Sequence, residues 1–154
     1  MLRVIYPVVL LLLLAVRLVA MTAQGTFTTI DVPGATRTNP TGINPRGDIV
    51  GAYTDDDGVG HGFLLSGGEF TMIDPPGATD TRVIGINPQG DMVGQYTDAD
   101  GVHGFLLSDG EFTTIDVPDA TATGATEITP GGDIVGGYLS ADGVGHGFLL
   151  SKGP

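Results

Sequence analysis

Gly42-Ile43-Asn44-Pro45-Arg46-Gly47-Asp48-Ile49-Val50-Gly51-Ala52-Tyr53, then an acidic loop, then His61-Gly62-Phe63-Leu64-Leu65: this stretch decides the fold, because the chain repeats it. It returns from Gly85 to Leu107, and again from Gly124 to Leu150 with Glu127-Ile128-Thr129 in place of Gly-Ile-Asn. Three landmarks recur in fixed order. Phe-Thr-Xaa-Ile-Asp begins at Phe27, Phe70 and Phe112; Gly-Asp-(Ile/Met)-Val-Gly begins at Gly47, Gly90 and Gly132; His-Gly-Phe-Leu-Leu-Ser begins at His61, His103 and His146. A period of about 42 residues is the signature of a repeat architecture. The middle copy is one residue shorter because Gly101-Val102-His103 replaces Gly-Val-Gly-His, a deletion in a loop where backbone change costs least.

Each copy reads as short strands. Gly, Pro, Asn and Asp clusters recur every ~6–12 residues, which leaves room for strands of about five residues and no helix. In the first copy the expected strands are residues 27–32, 41–44, 48–54 and 61–66. Pro45-Arg46-Gly47 makes the turn between the second and third. Gly67-Gly68, Asp109-Gly110 and Lys152-Gly153 carry the chain from each His-Gly-Phe strand into the next repeat. Ile49 and Tyr53 face one way while Val50 and Ala52 face the other, so both faces are apolar and the middle strands are expected between neighbouring sheets. The expected fold is all-β: three four-stranded antiparallel repeats packed as β-propeller-like blades, with a β-trefoil as the alternative. The repeats are 26–68, 69–110 and 111–153. The first begins with a Phe-Thr strand and the last ends with a His-Gly-Phe strand, complementary halves of a hairpin. Self-association through these terminal strands is therefore expected, since edges left unpaired are a liability.

Residues 1–23 differ in kind from the rest. Arg3, an apolar run from Val4 to Val16 and small residues at Ala20 and Ala23 read as a secretory signal, too short to span a bilayer. An uncleaved N-terminal anchor is the alternative. The domain is thus 24–154, secreted or periplasmic, keeping four of the six cations against all 18 acids. That balance argues against nucleic acid and, once the leader is removed, against anionic membranes. With no cysteine, stability rests on packing alone.

The recurring Gly-Ile-Asn-Xaa-Xaa-Gly-Asp-Ile-Val-Gly followed by His-Gly-Phe-Leu resembles the bacterial extracellular repeats of the HAF family, named for a His-Ala-Phe signature. The resemblance covers Phe27 to Ser151, with Gly62, Gly104 and Gly147 where the family name has Ala. It implies an exported propeller-like protein, and it supplies no catalytic residues.

Chemistry has few places to reside. His61, His103 and His146 occupy one repeat position and, around an axis, would offer three imidazoles to zinc or copper. A ring hydrogen-bonded to backbone at the start of a strand accounts for the same pattern. Asp55 and Asp57, or Asp98 and Asp100, resemble part of a calcium loop, but no Glu closes it and the third copy keeps only Asp142, so an Asp-Gly turn is the preferred reading. No cofactor and no metal are expected. Signatures of a nucleophile elbow, phosphate loop or zinc protease are absent, and nearly every distinctive residue comes in threes, whereas catalysis divides labour among unlike groups. The expected function is a binding or structural module rather than an enzyme, with a secreted polysaccharide hydrolase as the alternative. The copies differ most in residues 34–41, 77–84 and 119–126, which hold Arg37 and Arg82, and these variable segments, read as loops, are the expected binding surface.

Overall fold

The turn residues cut the chain into strands of five to seven residues. A computed structural model describes residues 25–153. Eleven strands form one open, mixed sheet, with no helix among the described residues. They are β1 (Arg37–Ile43), β2 (Ile49–Thr54), β3 (Gly60–Ser66), β4 (Glu69–Ile73), β5 (Asp80–Ile86), β6 (Met92–Thr97), β7 (Val102–Ser108), β8 (Glu111–Ile115), β9 (Ala122–Ile128), β10 (Ile134–Leu139) and β11 (Gly145–Leu150). Antiparallel pairing links β1 to β4 in sequence, then β5 to β8, then β9 to β11. Among the described residues, strand pairing between successive meanders is one parallel bridge at each junction, Gly60 to Asp80 and Val102 to Ala122.

The register is the same in every copy. Tyr53 faces His61, Tyr96 faces His103 and Tyr138 faces His146, while Gly51, Gly94 and Gly136 face Phe63, Phe105 and Phe148. The glycine opposite the phenylalanine is required by space. A Cβ at Gly51 would lie 2.7 Å from the Phe63 ring and one at Gly136 2.5 Å from Phe148, so the bare backbone is what lets the ring lie across the neighbouring strand. Each meander also bulges at one place, at Thr41, Ile84 and Thr126, where the register of the first pair slips.

Packing joins the meanders face to face. Val50 and Ile73 of the first meet Val83, Ile86, Met92, Tyr96, Phe105 and Leu107 of the second in one core. Val93 and Ile115 of the second meet Ala125, Ile128 and Ile134 of the third in another. In β6 the successive residues Met92 and Val93 are both buried, so this strand is covered on both faces, as its sequence requires.

Several boundaries differ from the sequence reading. The strand expected at residues 41–44 begins at Arg37, and residues 27–32 form no strand, although their counterparts are β4 and β8. The reason is partnership: β4 and β8 each pair with the His-Gly-Phe strand that precedes them, and among the described residues no such strand lies before Phe27. The Phe-Thr strand therefore closes the preceding meander instead of opening its own. The third meander has three strands among the described residues, and within the chain the Phe27 segment does not pair with β11. β1 and β11 end the sheet with one partner each, so it lacks the threefold closure of the trefoil alternative.

Candidate functional site

The three histidines sit near the start of β3, β7 and β11, the third strand of each meander. Their partners are carboxylates and hydroxyls rather than backbone. His61 Nδ1 lies 2.7 Å from Asp74 Oδ2 and Nε2 lies 3.2 Å from Asp55 Oδ2, with Tyr53 packed against the ring at 5.1 Å. His103 repeats this: Nδ1 is 3.0 Å from both oxygens of Asp116. Its Nε2 lies 3.2 Å from Asp98 Oδ1, an ion-pair distance without hydrogen-bond alignment, so that buried nitrogen has no hydrogen-bond acceptor. Burial opposes charge on His61, but the hydrogen bonds and charges of Asp74 and Asp55 outweigh it and hold the imidazole above its ordinary range. For His103 the Asp116 hydrogen bond is the largest influence and acts in the same direction, against burial. With both nitrogens of His61 facing carboxylates, the ring is a clamp between the acidic loop and the end of β4.

His146 has one partner, Ser140 Oγ at 3.3 Å from Nε2. Ser140 stands where Asp55 and Asp98 stand, and no counterpart of Asp74 follows β11 among the described residues. Asp74 and Asp116 escaped the search for functional residues, although the signal was present: Phe-Thr-Xaa-Ile ends in Asp in every copy.

The acidic loops are turns. Asp55 N and Gly58 N close backbone bonds to Val59 O and Asp55 O, and Asp55 Oδ1 accepts from Val59 N at 2.8 Å. That bond is the main cause of its depressed pKa, as the Asp100 amide is for Asp98. Carboxylates of Asp55, Asp56 and Asp57 lie within 4.8 Å of one another, but Asp55 is already engaged by the Val59 amide and by His61. Asp57 and Asp100 take their places in these turns, and no more complete ligand set occurs among the described residues.

A second network staples the turn after β1 and its counterpart after β5. Asn87 Oδ1 accepts from the amides of Gln89, Gly90 and Asp91, and its Nδ2 donates to Asp91 Oδ2 at 2.8 Å and across to Thr129 O of the third meander at 3.4 Å. Asn44 Oδ1 accepts from the amides of Arg46 and Asp48, and its Nδ2 donates to Asp48 Oδ2 at 2.9 Å and to Asn87 O at 3.3 Å. Ser66 and Ser108 hydroxyls donate to Asp48 and Asp91 at 2.6 Å, and these bonds are the largest cause of the lowered pKa of each carboxylate.

Arg37 and Arg82 lie on strands β1 and β5, not on loops. They line one cleft of about 280 Å³ between the first two meanders, together with Asn39, Tyr53, Asp80 and Thr81. Asp80 is the one carboxylate in its lining, 3.7 Å from Arg82 Nε. No protein-family model matches the chain, and no curated protein is recognisably related to it.

Proposed function

We propose that the chain is an exported binding module of the HAF type, built from propeller-like blades, whose ligand is a neutral, hydroxyl-rich molecule such as a saccharide unit. The observation that carries this reading is the cleft between β1 and β5. It combines the donors of Arg37, Arg82 and Asn39 with Thr41 and Thr54 in one lining, the kind that holds sugar hydroxyls. A net charge of −12 disfavours polyanions, nucleic acid and anionic membranes alike. Glycoside hydrolysis requires two carboxyl groups flanking the bond, and this cleft presents Asp80 alone, which favours binding over the hydrolase alternative. The histidines and most of the repeated acids are occupied in holding hairpins, as befits a scaffold.

The propeller-like description draws support from connectivity: a fourth strand at one edge of the first and of the second meander leads into the first strand of the next, and meanders stack face to face. Export rests on the leader at residues 1–23, which lies outside the described residues. The test is retention of the purified chain on a panel of neutral and acidic polysaccharides, with reducing ends assayed in the same samples. Retention on a neutral glycan, weakened about tenfold or more by Arg37→Ala with Arg82→Ala at unchanged melting temperature, is the expected result. Release of reducing ends would establish the hydrolase instead.

A further inference from the structure

The middle meander shows what each repeat position does when it has neighbours on both sides, and the outer two show what is missing. Ile86 and Ile128 are 8% and 4% exposed against the meander before them, whereas Ile43, the same position in the first meander, is 66% exposed. Val50 and Val93 are fully buried against the meander after them, whereas Val135 of the third is 42% exposed. The two ends of the sheet are thus opposite faces of the contact that the chain makes twice internally.

The missing strand fits the same account. β3 takes β4 with Phe63 opposite Met72, Leu64 opposite Thr71, Leu65 opposite Phe70 and Ser66 opposite Glu69, and β7 takes β8 in the same register. On β11 the corresponding Phe148, Leu149 and Leu150, with Ser151 just after it, have no such partner among the described residues, and Leu149 and Leu150 are exposed. Thr26-Phe27-Thr28-Thr29-Ile30-Asp31 is the remaining copy of Glu69-Phe70-Thr71-Met72-Ile73-Asp74, and it is unpaired, with Phe27 fully exposed. The connection that follows is already in its repeat conformation. Val32 N donates to Thr38 Oγ1 as Val117 N donates to Thr123 Oγ1.

We propose that a second copy of this chain docks on the free edge of β11, laying its residues 26–30 there as the fourth strand of the third meander and bringing its Asp31 to His146. The register places Phe27 opposite Leu150, Thr28 opposite Leu149 and Thr29 opposite Phe148. Phe27 then meets Phe148 edge-on, as Phe70 meets Phe63 at 5.6 Å and Phe112 meets Phe105 at 5.7 Å. Asp31 supplies His146 with the carboxylate that Asp74 and Asp116 supply to His61 and His103. The short connection from residue 31 to β1 sets Ile43 of one copy beside Val135 of the other.

Such a contact uses two different patches, so it either closes or grows into a filament. Reciprocal exchange between two copies closes it with six meanders, within the range of four to eight for closed propellers, whereas three within one chain fall short of it. Two residues make this seam weaker than the internal ones. A Cβ at Gly42 would come 3.1 Å from Ile84 O and one at Gly85 2.9 Å from Thr126 O, and the third meander has Glu127 at that position. Thr129 likewise lacks the amide with which Asn44 and Asn87 reach across. The dimer is therefore reversible.

Sedimentation velocity on the full chain, over a range of concentrations, is the first test: a monomer–dimer equilibrium is expected, tightened about tenfold by Glu127→Gly and weakened about tenfold by Asp31→Asn. The chain has no cysteine, so a disulfide reports the register directly. Mixing a Thr28→Cys chain with a Leu149→Cys chain and oxidising should link one of each in preference to either homodimer, because facing strand residues lie within bridging distance. A monomer at every concentration, or no preferential cross-link, overturns the proposal. So does a chain carrying both cysteines that forms the disulfide internally at monomer mass, which would show that the strand folds back on its own sheet.

Discussion

Thr81 is wholly buried and its hydroxyl has no hydrogen-bond partner, while the equivalent Thr38 and Thr123 each accept a backbone amide. The cause is one residue in sequence. The donors are Val32 and Val117, and the second repeat has Pro75 in their place, which carries no N–H. An unsatisfied buried hydroxyl costs about 1–3 kcal/mol, and the stiffness of proline gives back about 0.4–1 kcal/mol through the unfolded chain. Pro75→Val is therefore expected to raise stability by about 1 kcal/mol. Urea unfolding checks this, with an unchanged slope and a higher midpoint, and Pro75→Val combined with Thr81→Val should lose the gain.

At the level of the element, what holds a meander in place is the side-chain staple of its tightest turn as much as its ladder. Asn87 is 1% exposed, satisfies three turn amides and also reaches the backbone of the next meander, so a single side chain couples turn to packing. Asn87→Ala strands those amides and should cost ~3 kcal/mol, beyond what surface substitutions cost. Asp109→Gly makes a useful contrast. Asp109 adopts a φ of 52° where the first hairpin has Gly67 at 59°, so glycine there relieves backbone strain and should stabilise slightly. Thermal unfolding of the two variants should move in opposite directions; equal or same-sign shifts would show that the turn is not held by the Asn87 side chain.

For the whole molecule, stability should depend on pH from both sides. His61 and His103 have folded pKa values above the unfolded value near 6.5, so their contribution is complete below about pH 6.5 and is lost as pH rises through the raised folded values. Asp48, Asp55, Asp91 and Asp98 have depressed values, so theirs is complete above the unfolded value near 3.9 and is lost as pH falls through the lower folded values. The melting temperature is expected to be highest between about pH 4 and 6.5 and to decline on either side. His61→Gln with His103→Gln should flatten the alkaline limb and leave the acid limb largely in place. An unchanged alkaline limb in that variant would exclude the clamps as its source.

Much of this was legible in the chain before any coordinates, because a repeat compares itself with itself. The period, the all-strand character, the turns at Pro45-Arg46-Gly47 and at the Asp-Gly loops, and burial of both faces of the central strands follow from local preference and from alternation, which neighbours in sequence decide. Three things did not follow. The Phe-Thr strand belongs to the meander before it, since strand membership is set by which edge is free to pair and not by where a motif begins. Arg37 and Arg82 are strand residues that meet in one cleft, because the bulges at Thr41 and Ile84 extend pairing into segments whose Gly, Pro and Thr content reads as loop. His61 and His103 lie between carboxylates on both sides, and the second of these, Asp74 or Asp116, lies 13 residues away along the chain and reaches the ring only through the pairing of β3 with β4 and of β7 with β8.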